Sequence, residues 1–160
     1  MNIGILVHSM TGHTLSVAQR IEKKLMEQGH TCHIERVSAR DEESLSKGQV
    51  MQPIQLISPP DPLVYDALIL GAPVWGFSLS KVMNAYIDRL PKLSGKKAAC
   101  FITQSIAYPI FGGNRSLRQM KADCQQKGAS LYASGIVNWS NSRREEQIEN
   151  LVQSFAQIGS

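Results

Sequence analysis

At 160 residues the chain has the length of a single domain, and with 42% hydrophobic and 19% charged residues it has the apolar content to bury a core, which excludes a disordered chain. Seventeen Lys and Arg against thirteen Asp and Glu leave a formal charge of +4, compatible with nucleic acid, an anionic cofactor or no specific anion. There is no run of about 18 apolar residues, so no transmembrane helix is expected. Met1 to Val7 lack the pattern of a signal peptide, and Cys32, Cys100 and Cys124 are widely spaced with no CxxC pair, which argues against a disulfide scaffold or metal site and for a reducing cytoplasm.

Ile3 to Val7 is apolar apart from Gly4, as in a strand buried on both faces. Thr14 to Gln28 predicts a helix, with Ala18, Ile21 and Leu25 at helical spacing and Gly29 as its stop. Thr31 to Val37 alternates and predicts a second strand. Asp41 to Ser46 suits a short helix, after which Pro53, Pro59, Pro60 and Pro62 impose a surface connection that is long for a compact domain. Asp66 to Ala72 predicts a third strand, closed by Pro73, and Leu79, Val82, Met83, Tyr86, Ile87 and Leu90 line one helix face. Lys97 to Thr103 predicts a fourth strand. Gly112 and Gly113 precede a helix with Leu117, Met120 and Cys124 on one side, for which Asn114 is the expected N-cap. Ser130 to Val137 predicts a fifth strand. Ser142 and Glu145 have capping-box spacing before a last helix lined by Ile148, Leu151, Val152 and Phe155.

Five strand–helix alternations predict a single α/β domain: a doubly wound five-stranded parallel sheet in a three-layer α/β/α sandwich, because parallel neighbours need right-handed crossovers. Ligands of such sheets bind beyond the carboxyl ends of the strands. That singles out the segments after strands one, three and four.

The first segment, Ser9-Met10-Thr11-Gly12-His13-Thr14, puts three hydroxyls and a Gly at a helix N-terminus, where unpaired amides and the helix dipole favour an anion over an ordinary cap. It lacks the Gly-Lys-Ser/Thr of a P-loop, the GxGxxG of a dinucleotide site and any cysteine nucleophile. The second, Pro73-Val74-Trp75-Gly76-Phe77-Ser78, sets two aromatics around a Gly. Trp75 and Phe77 either stack on a planar ring or pack beneath the loop, since both uses draw on the same apolar area. Ser78 and Ser80 read as helix caps. The third runs from Thr103-Gln104-Ser105 through Tyr108 to Gly112-Gly113 and suits a wall over the edge of a ring, with Tyr108 as its stacking residue.

Ser-x-Thr-Gly-x-Thr after the first strand resembles the FMN phosphate loop of the flavodoxin-like flavoproteins, a near-neutral cradle of hydroxyls and amides, with His13 where that family usually carries Asn. Gly71-Ala72-Pro73-Val74-Trp75 resembles the loop that contacts the isoalloxazine, and the third segment is similar to the family's third flavin loop, with a Gly pair like that of WrbA-type NAD(P)H:quinone oxidoreductases. The resemblance implies strand order 2-1-3-4-5 and one FMN. Its phosphate would lie on Ser9, Met10, Thr11, Gly12, His13 and Thr14. Its ring would lie near Pro73, Val74, Trp75, Gly76, Phe77, Thr103, Gln104, Ser105, Tyr108, Gly112 and Gly113. No catalytic acid or base is implied, and His8 reads as structural. Two functions are compatible with it. One is an NAD(P)H-dependent reductase of quinones, flavins or similar small-molecule acceptors, with a homodimer expected by analogy. The other is an electron carrier serving a redox partner protein. Carriers of this family are acidic, so the basic balance leans toward the reductase. Lys23-Lys24, Lys96-Lys97 and Arg143-Arg144 are scattered pairs, which argues against nucleic acid.

Overall fold

The computed structural model describes residues 1–49, 53–105 and 112–159. In chain order the elements are β1 (Asn2–Val7), α1 (His13–Glu27), β2 (Thr31–Arg36), α2 (Glu42–Ser46), a 3-10 turn (Pro62–Val64), β3 (Ala67–Trp75), β4 (Ser78–Leu79), α3 (Lys81–Asp88), β5 (Lys97–Gln104), α4 (Gly113–Gln126), β6 (Ser130–Asn138) and α5 (Arg144–Phe155). The five long strands are parallel in the order β2-β1-β3-β5-β6. This is the doubly wound order that the resemblance implied, with the short β4 added on the end of β3.

Period-two alternation divides the apolar residues of the central strands between two cores. Leu6, Leu68, Leu70, Cys100 and Ile102 face Met83, Ile87, Met120 and Cys124 of α3 and α4. Ile3, Ile5, Val7, Ile69 and Phe101 face Val17, Ile21, Leu25, Leu151 and Phe155 of α1 and α5. Each large side chain so buried contributes about 1.5–3 kcal/mol relative to exposure. Gly4, the one break in the β1 run, makes room for Tyr65: a Cβ there would lie 2.4 Å from the Tyr65 ring.

Four local expectations are corrected. β3 does not close at Pro73. It runs on to Trp75 and folds back through Gly76 (φ 51) and Phe77 (φ 67) onto β4, a two-residue hairpin with both turn residues left-handed. β1 ends opposite Gly71, so Pro73 lies beyond that ladder, where its missing N–H leaves no gap. Ser78 accordingly sits in a strand, and Ser80 alone caps α3, its Oγ accepting from the Met83 amide at 3.2 Å. Asn114 is not the cap of α4: the chain turns at Gly112 with φ 108, a conformation that suits Gly, and Asn114 falls inside the first turn. The Ser142–Glu145 box does not form, because α5 starts at Arg144. Asn141 takes its place, accepting the Arg143 amide on Oδ1 at 2.8 Å and the Arg144 amide on its carbonyl at 3.1 Å.

Candidate functional site

The carboxyl ends of β1, β3, β5 and β6 come level at one edge of the sheet, where register places Val7 beside Gly71, Pro73 beside Thr103 and Gln104 beside Asn138. The segments after β1, β3 and β5 therefore meet there.

Ser9 to Thr14 wraps the N-terminus of α1. Gly12 takes φ 91 and has open space where a Cβ would project. Ser9 is buried, and its Oγ accepts the Leu15 amide at 3.2 Å, which braces the loop and leaves its own O–H to donate. Its carbonyl accepts from the Arg36 guanidinium, which ties the loop to the end of β2. Thr14 is buried, with its Oγ1 2.7 Å from Thr103 Oγ1, which bolts the loop to β5. Only one proton lies between those two oxygens, so the other hydroxyl keeps a proton to donate elsewhere. Among the described residues the amides of Thr11, Gly12, His13 and Thr14 donate to nothing. No acidic side chain stands in the first turn of α1, so nothing competes with an anion there. This donor set fits a phosphate monoester without requiring a cation. Met10 is 43% exposed at the rim.

His13 does not stand free in solvent. Its ring stacks on Trp139, with centroids 3.9 Å apart and planes 11° from parallel, and the Arg144 guanidinium lies 4.6 Å from the same indole. Burial, then the Arg144 charge, push the His13 imidazole below its ordinary value. A bound phosphate would act in the opposite sense. Trp139, Arg144 and Arg36 were not assigned to the site from the sequence. An aromatic and an arginine just past the last strand, at the same sheet edge, are the signal that could have found them.

Pro73, Val74 and Trp75 are half-buried in the hairpin, while Gly76 and Phe77 form its exposed tip. Trp75 packs on the α3/α4 core and meets the His8 ring edge-on at 5.0 Å. Phe77 is 59% exposed, so it does not pack beneath the loop. His8 is fully enclosed: Nδ1 lies 2.9 Å from Ser80 Oγ and Nε2 lies 2.6 Å from Glu42 Oε1. Burial lowers its pKa and outweighs the pull of Glu42 in the other direction. The structural role expected of His8 thus has a specific form, tying β1, α2 and the cap of α3 together beneath Trp75.

Thr103 and Gln104 are buried at the end of β5, and Gln104 Nε2 donates to Asn138 Oδ1 at 2.6 Å. Ser105 is exposed, and its carbonyl accepts from the Ser140 hydroxyl. Gly112 is pressed on the hairpin tip, since a Cβ there would lie 2.4 Å from the Phe77 carbonyl oxygen. Gly113 lies against Gln104, with 2.8 Å from its projected Cβ to Oε1. Tyr108 and Phe111 lie outside the described residues. Among the described residues no group of three or more His, Cys, Asp or Glu could hold a metal, and no helix is long and apolar enough to cross a membrane.

Residues 5–150 match the flavodoxin family model. Among solved structures the fold is similar to oxidised flavodoxin 2 from Bacillus cereus, with 24% identity, a TM-score of 0.70, and 98% of this chain and 99% of that one covered. It is similar to flavodoxin 1 of the same organism, with 21% identity, a TM-score of 0.68 and both chains fully covered. An NADH:FMN oxidoreductase in its apo form is also similar, with 18% identity, a TM-score of 0.70, and 99% of this chain and 90% of that one covered.

Proposed function

This chain belongs to the flavodoxin family, whose members bind FMN, and we propose that it works as an FMN-borne electron carrier between redox proteins. The observation that carries this reading is the loop at the N-terminus of α1: four amides without partners in the described residues, beside a buried hydroxyl pair. Thr11 to Thr14 would donate to the phosphate, and the α1 dipole would favour its charge. Trp75 and Phe77 would flank the ring, and Gly112 would hold the hairpin and the α4 cap close enough to confine it. The isoalloxazine supplies the redox chemistry, while the chain binds, orients and shields it.

Family membership favours the carrier. A reductase that draws on NAD(P)H is the second reading, supported by the likeness in fold to an NADH:FMN oxidoreductase. The basic balance that leaned toward a reductase carries less weight once its position in the fold is considered.

Titration of free FMN with the purified protein should quench the flavin fluorescence saturably, and a flat titration would reject both readings. Thr11→Ala and Thr14→Ala should each weaken FMN binding by about 1.5–3 kcal/mol as charge-assisted contacts are lost. Holoprotein mixed anaerobically with NADH or NADPH should keep its yellow colour. Rapid bleaching by either nucleotide would replace the carrier with the reductase.

A further inference from the structure

The positive charge of this chain is segregated. Between Asp66 and Asp123 there are eight Lys and Arg and a single acid, Asp88, a net +7; the rest of the chain has nine Lys and Arg against twelve Asp and Glu, a net −3. The middle stretch builds β3, α3, β5 and most of α4. Many of its cations are engaged away from the site edge: Lys96 Nζ donates to the Tyr65 carbonyl at 2.6 Å, Lys97 Nζ to Ile158 at 2.7 Å, and Arg89 to Ile54 at 2.6 Å. Among the described residues, no hydrogen bond or ion pair engages the side chains of the other five, Lys81, Lys92, Arg115, Arg118 and Lys121, and of these Lys81, Arg115 and Arg118 lie in the N-terminal halves of α3 and α4, toward the site edge.

Their placement follows from the seam between α3 and α4. Gln119 donates to Asn84 at 3.1 Å, which fixes the two parallel helices side by side. One turn toward the C-termini from that bridge stand Asp88 and Asp123, where burial and then the nearby Asp88 charge raise the Asp123 pKa. One turn toward the N-termini stand Lys81 and Arg115. The N-terminal ends of the seam thus carry cations and neither helix has an acid in its first turn, against the preference of the helix dipoles, whereas at the C-terminal ends Asp88 and Asp123 stand beside the capping residues Arg89 and Lys127. An arrangement that opposes local helix stability is expected where a function requires it.

Phe77 sits between these helix ends. β4 leads from it directly into the Ser80 cap of α3, and its carbonyl lies against the Gly112 cap of α4. An apolar residue 59% exposed thus adjoins the N-terminal turns that carry Lys81 and Arg115, with Arg118 one turn further along α4, at the edge where the flavin is proposed to sit. An apolar centre within a charged rim is the layout of a protein–protein contact. The cations lie on the outer surfaces of two helices and do not converge as a phosphate-binding pocket would. We infer that this rim is the docking face for an acidic redox protein, which receives or delivers electrons there. The inference rests on the carrier reading and specifies its partner by charge.

Docking and electron transfer can be read separately. The carbodiimide EDC should join Lys81 to carboxylates of the acidic haem protein cytochrome b5, a link located by peptide mass spectrometry that needs no flavin. In the transfer assay, dithionite-reduced holoprotein passes one electron to each ferric haem, giving ferrous cytochrome b5. That rate should fall about tenfold between about 10 mM and about 500 mM NaCl. With basic cytochrome c as acceptor the rate should instead rise with salt. The triple variant Lys81→Glu, Arg115→Glu, Arg118→Glu should abolish the link and slow cytochrome b5 reduction about tenfold at low salt. Lys23→Glu with Lys24→Glu on α1 should change neither. Unchanged FMN affinity would show the triple variant folded. A rate with cytochrome b5 that rises with salt, or is indifferent to the triple substitution, would overturn the inference. So would NADPH oxidation by the parent that the triple variant loses while cytochrome b5 reduction stays intact, which would make the rim a nucleotide site. A flat FMN titration alongside a specific Lys81 link would reject the carrier reading and leave the docking face standing.

Discussion

Replacing Gly71 by Ala should destabilise the protein through a single contact. Gly71 lies directly opposite Phe101 in the β3–β5 register. A Cβ at Gly71 would come within 2.2, 2.3 and 2.8 Å of three carbons of that ring, against an ordinary contact of 3.4 Å or more, so the ring would have to retreat by more than 1 Å. It has nowhere to go: Phe101 is fully buried and meets Phe155 edge-on at 6.1 Å. Overpacking of this kind costs about 1–3 kcal/mol. Gly71 has no positive φ, so Ala also recovers about 0.4–1 kcal/mol by stiffening the unfolded chain. The net loss should be about 1–2 kcal/mol, and each kcal/mol lowers Tm by about 2–4 °C in a chain of this size. Urea unfolding of the FMN-free protein reads this without the stabilisation a bound ligand would add. Phe101→Leu should cost stability alone but make room for the methyl group that Gly71→Ala introduces, so the double variant should be more stable than the two single losses predict, by about 0.5–3 kcal/mol. A Gly71→Ala protein as stable as the parent, or strict additivity with Phe101→Leu, would refute the reasoning.

Gly112→Ala combines a left-handed φ with a Cβ 2.4 Å from the Phe77 carbonyl, so it should lose about 2 kcal/mol or more and also weaken FMN binding by displacing the hairpin; parent-like values in both urea unfolding and flavin quenching would rule out the close approach. His8 has a folded pKa below its unfolded value, so its contribution to stability is complete above about pH 6.5 and is lost as pH falls below that. His8→Gln should flatten the fall in urea midpoint between about pH 7.5 and about pH 5, and an identical slope in parent and variant would remove His8 as its source. Burial raises the Cys32 thiol to about 11, and Cys100 is raised by its hydrogen bond with Cys124 and by burial, so Ellman's reagent should titrate three thiols in urea and almost none in the native protein.

Sequence patterning by itself determined the architecture. Short apolar runs such as Ile3 to Val7, repeated between amphipathic stretches, read as strands covered on both faces, and the 3.6-residue spacing of Val82, Met83, Tyr86 and Ile87 reads as a helix with one buried face. The cradle was legible for the same reason: hydroxyls and a Gly between a buried strand and a helix are a local signal, complete within six residues. Other features depended on contacts between distant segments. Pro73 read as a strand terminator because nothing nearby reveals that β1 has already ended beside Gly71. Gly71 and Gly112 carry their meaning in Phe101 and Phe77, which lie 30 and 35 residues away. Trp139 joined the site only when the fold laid it on His13, and Glu42 reached His8 only through the packing of α2. The +4 balance shows the same division. Composition sets its size, but only the pairing of α3 with α4 brings the helix starts that carry Lys81 and Arg115 to one edge, because charges far apart along the chain become one surface only when helices pack side by side.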